Sequence, residues 1–195
     1  MPFVFKCLAL ITSIAAAAAA DKDFHAPPAA SMHSHQTNER VTIGADPYVS
    51  GDKIKDAFGK LDPYRNGVLP ILVVIENDTD KTLRLESMVV KYVGPNRNTV
   101  VATPAADVKY LKGASRPGMI SGPTGGIRVL GKKNPLNTWE VEGRAFAAKM
   151  LPAGHTGSGF YYFDSGFQHG ATLYISGITE AAGGKELLFF EIPLD

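Results

Sequence analysis

Residues 68–76 read Val-Leu-Pro-Ile-Leu-Val-Val-Ile-Glu, an apolar run interrupted by no charge before its last residue. A run of this length, rich in β-branched residues, is typical of a strand that is buried on both faces. Proline is tolerated near the start of a strand, where Pro70 stands. The run therefore predicts the central strand of a β-rich core.

Turn-forming residues follow this run, and more segments of strand character follow the turn. Residues 77–81 read Asn-Asp-Thr-Asp-Lys, which favours a chain reversal. Residues 83–93 then predict a long second strand, and residues 41–43 predict a first strand before the run. We expect three further strands in the C-terminal third to form an antiparallel meander. These are residues 159–163, 171–178 and 186–194.

Two segments show helical spacing of apolar residues. Ile54, Ala57, Phe58 and Leu61 follow Ser50 and predict a short amphipathic helix. A second helix is expected to begin after Asn137 and to end before Pro152, with Trp139 as its packing anchor. The residues on its shared face are Trp139, Gly143, Phe146, Ala147 and Met150.

These elements together predict a mainly β fold. About seven short strands with turns between them favour an antiparallel sandwich of two sheets, carrying two short helices. The 20 glycines and 13 prolines fit a chain with many turns. Residues 113–126 are rich in glycine and predict an exposed loop.

The N-terminal segment has the layout of a secretory signal peptide. Lys6 is its only charge, an apolar run follows, and Ala18-Ala19-Ala20 form a small-residue cleavage site. The run is too short and too rich in alanine to be a stable membrane anchor. We therefore predict a signal peptide over residues 1–20, a flexible leader over 21–38, a β-sandwich domain over 39–195, and a secreted or periplasmic location.

Cleavage after Ala20 would remove Cys7, the only cysteine. The mature chain would then have no thiol, which excludes disulfides, cysteine nucleophiles and thiolate metal sites. It would carry 19 basic and 19 acidic residues, because Lys6 is lost as well. Nucleic-acid binding is not expected, since it needs clustered positive charge.

Two stretches resemble exported bacterial immunoglobulin-like domains of uncharacterised function. Residues 73–83 read Val-Val-Ile-Glu-Asn-Asp-Thr-Asp-Lys-Thr-Leu, and residues 151–163 read Leu-Pro-Ala-Gly-His-Thr-Gly-Ser-Gly-Phe-Tyr-Tyr-Phe. In such domains a strand ends in an Asn-containing turn, and a Pro-x-Gly loop precedes a strand of this aromatic character. The resemblance implies an immunoglobulin-like antiparallel β-sandwich and brings no catalytic residues with it.

A histidine pair in the leader is the ligand-like cluster of the sequence. His33 and His35 alternate, so both imidazoles would point the same way in an extended chain. Met32, Asp23 and His25 could complete a site for copper or zinc. Metal binding by the leader is therefore an alternative function. The competing interpretation is that the leader is simply polar and has no fixed scaffold for a metal site.

A second alternative is a hydrolase that uses His155 and His169. These histidines flank the strand at 159–163, and Asp164 could join them as an acid–base set. The chain contains neither a Gly-x-Ser-x-Gly motif nor a His-Glu-x-x-His motif. We therefore expect no catalytic residues and no enzyme activity.

Aromatic side chains on the strand at 159–163 suggest a binding surface. Tyr161, Tyr162 and Phe167 are the candidates, since exposed aromatic residues stack on sugars or anchor a protein partner. Burial of both strand faces is the competing interpretation. The leading hypothesis is a non-catalytic binding or structural module whose partner is a protein or a glycan.

Overall fold

The computed structural model describes residues 24–111, 118–121, 127–130, 134–187 and 189–195. The predicted signal peptide lies outside these residues, and so does much of the predicted loop at 113–126. The chain is mainly β, with antiparallel sheets and few helices, as the sequence predicts. Among the described residues, no helix is both long and apolar enough to span a membrane.

Thirteen strands and two α-helices make up the described part. The strands are β1 Ser34–Asn38, β2 Val41–Pro47, β3 Leu69–Asn77, β4 Leu83–Arg84, β5 Val89–Val93, β6 Thr99–Val101, β7 Gly118–Ser121, β8 Ile127–Leu130, β9 Met150–Leu151, β10 Thr156–Phe163, β11 Ala171–Ser176, β12 Thr179–Glu180 and β13 Phe190–Leu194. The helices are α1 Gly51–Phe58 and α2 Trp139–Gly143, and short 3-10 helices lie at Ala29–Ser31 and Ala105–Tyr110.

The first large sheet has the order β1-β2-β3-β10, and all its pairs are antiparallel. The predicted central strand is confirmed as β3, which pairs with β2 on one side and with β10 on the other. Side chains on both faces of β3 are buried, which explains why its sequence is apolar without alternation.

The second large sheet has the order β13-β11-β5-β6. Its strands alternate: in β11, Ala171, Leu173 and Ile175 are buried, and the residues between them are partly exposed. One face of this sheet therefore points to the core and the other points outward. Two smaller sheets, β12-β4-β9 and β7-β8, complete the described strands.

The core has two layers, one on each face of the first sheet. The layer between the two large sheets includes Ile43, Val73, Tyr92 and Phe190. The other layer lies between the first sheet and the helices, and it is built around Phe58 of α1. The first sheet is thus the middle of the molecule.

Several predicted elements differ from the observed ones. Residues 34–38, assigned by sequence to a flexible leader, form β1 and pair with β2 along their whole length. The long strand predicted at 83–93 is divided into β4 and β5, which lie in different sheets. The predicted meander is wrong, because β10 joins the first sheet and only β11 and β13 pair with each other.

The second predicted helix is much shorter than expected. It begins at Trp139 after an N-cap at Thr138 and ends at Gly143. Ala145 and Phe146 instead run beside β10, where Ala145 forms a parallel bridge with Phe160. Pairing with an open strand edge has replaced helical hydrogen bonding at this point.

Candidate binding site

Trp139, the only tryptophan of the chain, lies on the surface at the start of α2. The prediction that it anchors the helix in the core is wrong, because its side chain is 63% exposed. Val141 is the buried residue of this short helix. The indole packs on its own helix: a Cβ atom added to Gly143 would lie 3.1 Å from its Cε3 atom. Trp139 is therefore exposed, with one edge of its ring against Gly143.

Residues of β10 hydrogen-bond to the backbone of α2 and of the segment that follows it. The Tyr162 hydroxyl donates to the carbonyl of Val141 at 2.8 Å. The Phe160 amide donates to the carbonyl of Arg144 at 2.8 Å, and the Phe146 amide donates to the carbonyl of Phe160 at 3.1 Å. Burial raises the pKa of Tyr162, which Arg144 partly opposes, so its hydroxyl remains a neutral donor.

A cavity of about 340 Å³ lies between α2 and the C-terminal end of α1. Its volume falls within the range of small-molecule sites, about 300–1,000 Å³. Both signs of charge line it next to the indole. The lining residues are Lys55, Asp56, Ala57, Phe58, Gly59, Lys60, Trp139, Glu140 and Arg144.

Two of the lining side chains have buried polar atoms that are left without a partner. Within the described part of the chain, neither Oε2 of Glu140 nor Nε of Arg144 has a hydrogen-bond partner. The guanidinium of Arg144 stands 5.5 Å from the ring centre of Phe24, which limits its movement. A buried polar atom without a partner is costly, and a group that reached both atoms would offset that cost.

The aromatic residues predicted to form a binding surface are mostly covered. Tyr162 is buried against α2, and Phe167 is partly buried beside His169, with ring centres 5.3 Å apart. Tyr161 is half-buried and stacks on Phe146 with ring centres 5.5 Å apart. Burial raises the pKa of Tyr161 above its ordinary range.

Tyr161 lines an apolar groove of about 270 Å³ beside β5 and β6, together with Met88, Val101 and Phe146. The groove lacks the charged side chains of the Trp139 cavity. It offers apolar contact but few groups that could orient a polar ligand.

Of the predicted metal ligands, His25, Met32, His33 and His35 lie among the described residues, and Asp23 lies outside them. His33 and His35 are both exposed, and Nδ1 of His35 lies 2.7 Å from the carbonyl oxygen of Met32. Met32 itself is buried beside Gly44. No group of three or more potential metal-binding side chains occurs in the part of the chain that the structure describes.

The predicted acid–base residues lie at opposite ends of a strand. His155 precedes β10, whereas Asp164 and His169 follow it. An eight-residue strand is roughly 25 Å long, so the two histidines do not converge on one substrate atom. His155 instead contacts its own turn, with Nδ1 lying 2.9 Å from the carbonyl oxygen of Ala153.

Trp139 was missed as a site residue because its position on a predicted apolar helix face suggested burial. The helix pattern could not show that the chain leaves the helix after Gly143. Glu140 and Arg144 belong to no functional motif, and only the placement of α2 beside α1 and β10 brings them to one cavity.

No family model and no curated protein matches the chain. Among solved structures, a functionally unknown protein from Listeria monocytogenes EGD-e aligns with 83% of this chain and 81% of that chain, at 12% identity and a TM-score of 0.35. An X-ray structure of a Northeast Structural Genomics Consortium target aligns with 81% of this chain and 89% of that chain, at 11% identity and a TM-score of 0.36. These similarities are too distant to indicate a function.

Proposed function

We propose that the protein is an exported, non-catalytic binding module of the immunoglobulin-like type, and that the Trp139 cavity binds carbohydrate. The observation that carries the proposal is the exposed indole of Trp139 beside a cavity with unsatisfied polar atoms. The glycan would be a cell-surface or extracellular one, consistent with the signal peptide expected from the sequence.

The order of the strands supports the immunoglobulin-like assignment. In that fold, neighbouring strands A, B and E form one sheet, and strands G, F, C and C′ form the other. Here β2, β3 and β10 are neighbours in one sheet, and β13, β11, β5 and β6 are neighbours in the other. In chain order, β2, β3, β5, β6, β10, β11 and β13 take the letters A, B, C, C′, E, F and G. β1 would extend the first sheet beyond strand A.

The chemistry of the cavity favours a neutral sugar over an anion. A sugar hydroxyl both donates and accepts, so it can satisfy a carboxylate oxygen of Glu140 and the Nε–H of Arg144 together. An anion such as phosphate could accept from the Nε–H of Arg144, but it would bring a second negative charge against the Glu140 carboxylate. The apolar face of a sugar ring can lie on the exposed indole of Trp139.

The sole tryptophan allows a direct test of ligand binding. We expect at least one member of a panel of neutral chito-, cello-, malto- and manno-oligosaccharides to change the fluorescence of Trp139 in a saturable manner. Inorganic phosphate should produce no such change. Calorimetry, which does not depend on the fluorophore, should then show affinity at least about tenfold weaker for Trp139→Ala, as for loss of an aromatic anchor.

Two variants make this test specific. Glu140→Gln keeps the side-chain volume but removes the charged acceptor, so it should also weaken sugar binding. Phe189→Ala removes another exposed aromatic residue, one beside the second sheet, and should leave binding unchanged. Sugar binding that is equally strong in Trp139→Ala, or binding of phosphate alone, would contradict the proposal.

A further inference from the structure

The second sheet leaves one face in solvent, which we call the outer face. Its residues alternate with the buried ones of three adjacent strands. They are Val89, Lys91, Val93, Thr172, Tyr174, Ser176, Phe189, Glu191 and Pro193. Val89 is 39% exposed and Phe189 is 49% exposed, so neither of these apolar side chains is covered. Exposed apolar side chains on one flat face are typical of an interaction surface.

The strand register arranges the outer face in rows that run across the strands. Tyr174 of β11 is paired with Lys91 of β5 on one side and with Glu191 of β13 on the other. A cation and an anion thus stand on either side of Tyr174, about 10 Å apart at the Cα atoms. In the next row, Thr172 separates Val93 from Pro193.

We infer that the outer face is the interface of a two-fold symmetric dimer of this chain. The symmetry axis would run along β11, midway between the two copies. Rotation about this axis places Lys91 of one copy over Glu191 of the other, and the reverse contact follows by symmetry. The same rotation places Val89 over Phe189 and Val93 over Pro193.

The face is therefore complementary to itself in both charge and apolar character. Within the described residues, neither Lys91 nor Glu191 forms a salt bridge, so both are available to a second copy. Lys91 lies with Nζ 5.9 Å from the ring centre of Tyr174. Phe189 stacks on the same ring at 5.5 Å, so the central aromatic pair is already ordered.

The outer face is small for a protein interface. The four strands of the second sheet span about 14 Å, and exposed Val101 of β6 extends the face beyond Lys91, so the interface lies at the low end of specific protein interfaces. The dimer should therefore be weak and dependent on concentration. It would leave the Trp139 cavity open, because that cavity lies in the helical layer on the far side of the first sheet.

Charge reversal tests the inference directly. Sedimentation equilibrium of the protein expressed from its full sequence, up to near-millimolar concentration, should show reversible association to twice the monomer mass. Lys91→Glu alone and Glu191→Lys alone should each abolish association, because both symmetry-related contacts between residues 91 and 191 become repulsive. The double variant Lys91→Glu/Glu191→Lys exchanges the charges and should restore it.

Lys149→Glu, which reverses an exposed charge elsewhere on the surface, serves as the matched control and should not alter association. Circular dichroism of each variant checks that the fold is retained. The inference is overturned if the unmodified protein is a monomer at every concentration. It is also overturned if the single reversals associate as well as the unmodified protein does. Neither result bears on sugar binding, which is measured separately.

Discussion

Asn77 illustrates how one polar side chain organises a chain reversal. It ends β3 and is only 1% exposed. Its Nδ2 donates to the carbonyls of Lys81 at 2.8 Å and of Leu151 at 3.0 Å, and its Oδ1 accepts from the Thr79 hydroxyl at 2.6 Å. The side chain therefore joins its own turn to β9.

We predict that Asn77→Ala lowers the free energy of unfolding by about 2–4 kcal/mol. The substitution leaves buried carbonyls without a donor and removes the acceptor of Thr79. Urea unfolding followed by circular dichroism measures the loss. Asp78→Ala, an exposed position of the same turn, should change stability by less than about 0.5 kcal/mol. Equal effects at the two positions would show that the turn, and not the buried amide, is what matters.

At the scale of elements, the outer edge of β10 determines where the Trp139 cavity forms. The backbone of Arg144 and Phe146 runs along this edge and hydrogen-bonds to Phe160. It passes so close to Gly159 that an added Cβ atom would lie 2.4 Å from the Cα atom of Phe146. The glycine is required there because two backbones meet, and this contact holds the C-terminal end of α2.

We predict that Gly159→Ala destabilises the protein by about 2–4 kcal/mol, because backbone on one side or the other must shift. The shift would move α2, so the fluorescence maximum of Trp139 should change as well. Gly166→Ala is the matched control, since no atom lies within 4 Å of its added Cβ atom and its φ is not positive. A Gly159→Ala protein as stable as the Gly166→Ala protein would refute the role of this contact.

At the scale of the whole molecule, the layers place two surfaces on opposite sides. The second sheet presents the outer face, the first sheet is covered on both faces, and the helices present the Trp139 cavity. A dimer formed through the outer faces would direct two cavities away from each other. Two cavities that face away from each other would not bind one flat glycan surface together, so the dimer would instead link two separate glycan chains.

Export is the prediction that concerns the chain as a whole. Expressed in a bacterium from its full sequence, the protein should be recovered outside the cytoplasm with Asp21 as its first residue. Intact-mass measurement and N-terminal sequencing check this, and loss of Cys7 should leave the product unreactive toward thiol reagents. Changing both Ala18 and Ala20 to Asp should block the cleavage. An uncleaved, cytoplasmic product of the unmodified sequence would contradict the prediction.

Local sequence patterns predicted the elements that are buried in the same way along their whole length. The apolar run at 68–76 became β3, and the helical spacing after Ser50 became α1 over Gly51–Phe58. Both predictions succeed because burial on two strand faces requires a continuous apolar run, and burial on one helical face requires apolar residues at helical spacing. Tyr162, one residue of the predicted binding surface, is buried by layers from elsewhere in the chain, which no local pattern showed.

By itself, the sequence determined the mainly β class, the central strand and the amphipathic α1, because these depend on the periodicity of nearby side chains. Only the tertiary structure decided that residues 34–38 extend the first sheet, that β10 leaves the C-terminal strands to join β3, and that Trp139 stands in solvent. Each of these depends on which distant strand edge or surface is available for pairing. That information belongs to pairs of segments far apart in the chain, and no local pattern contains it.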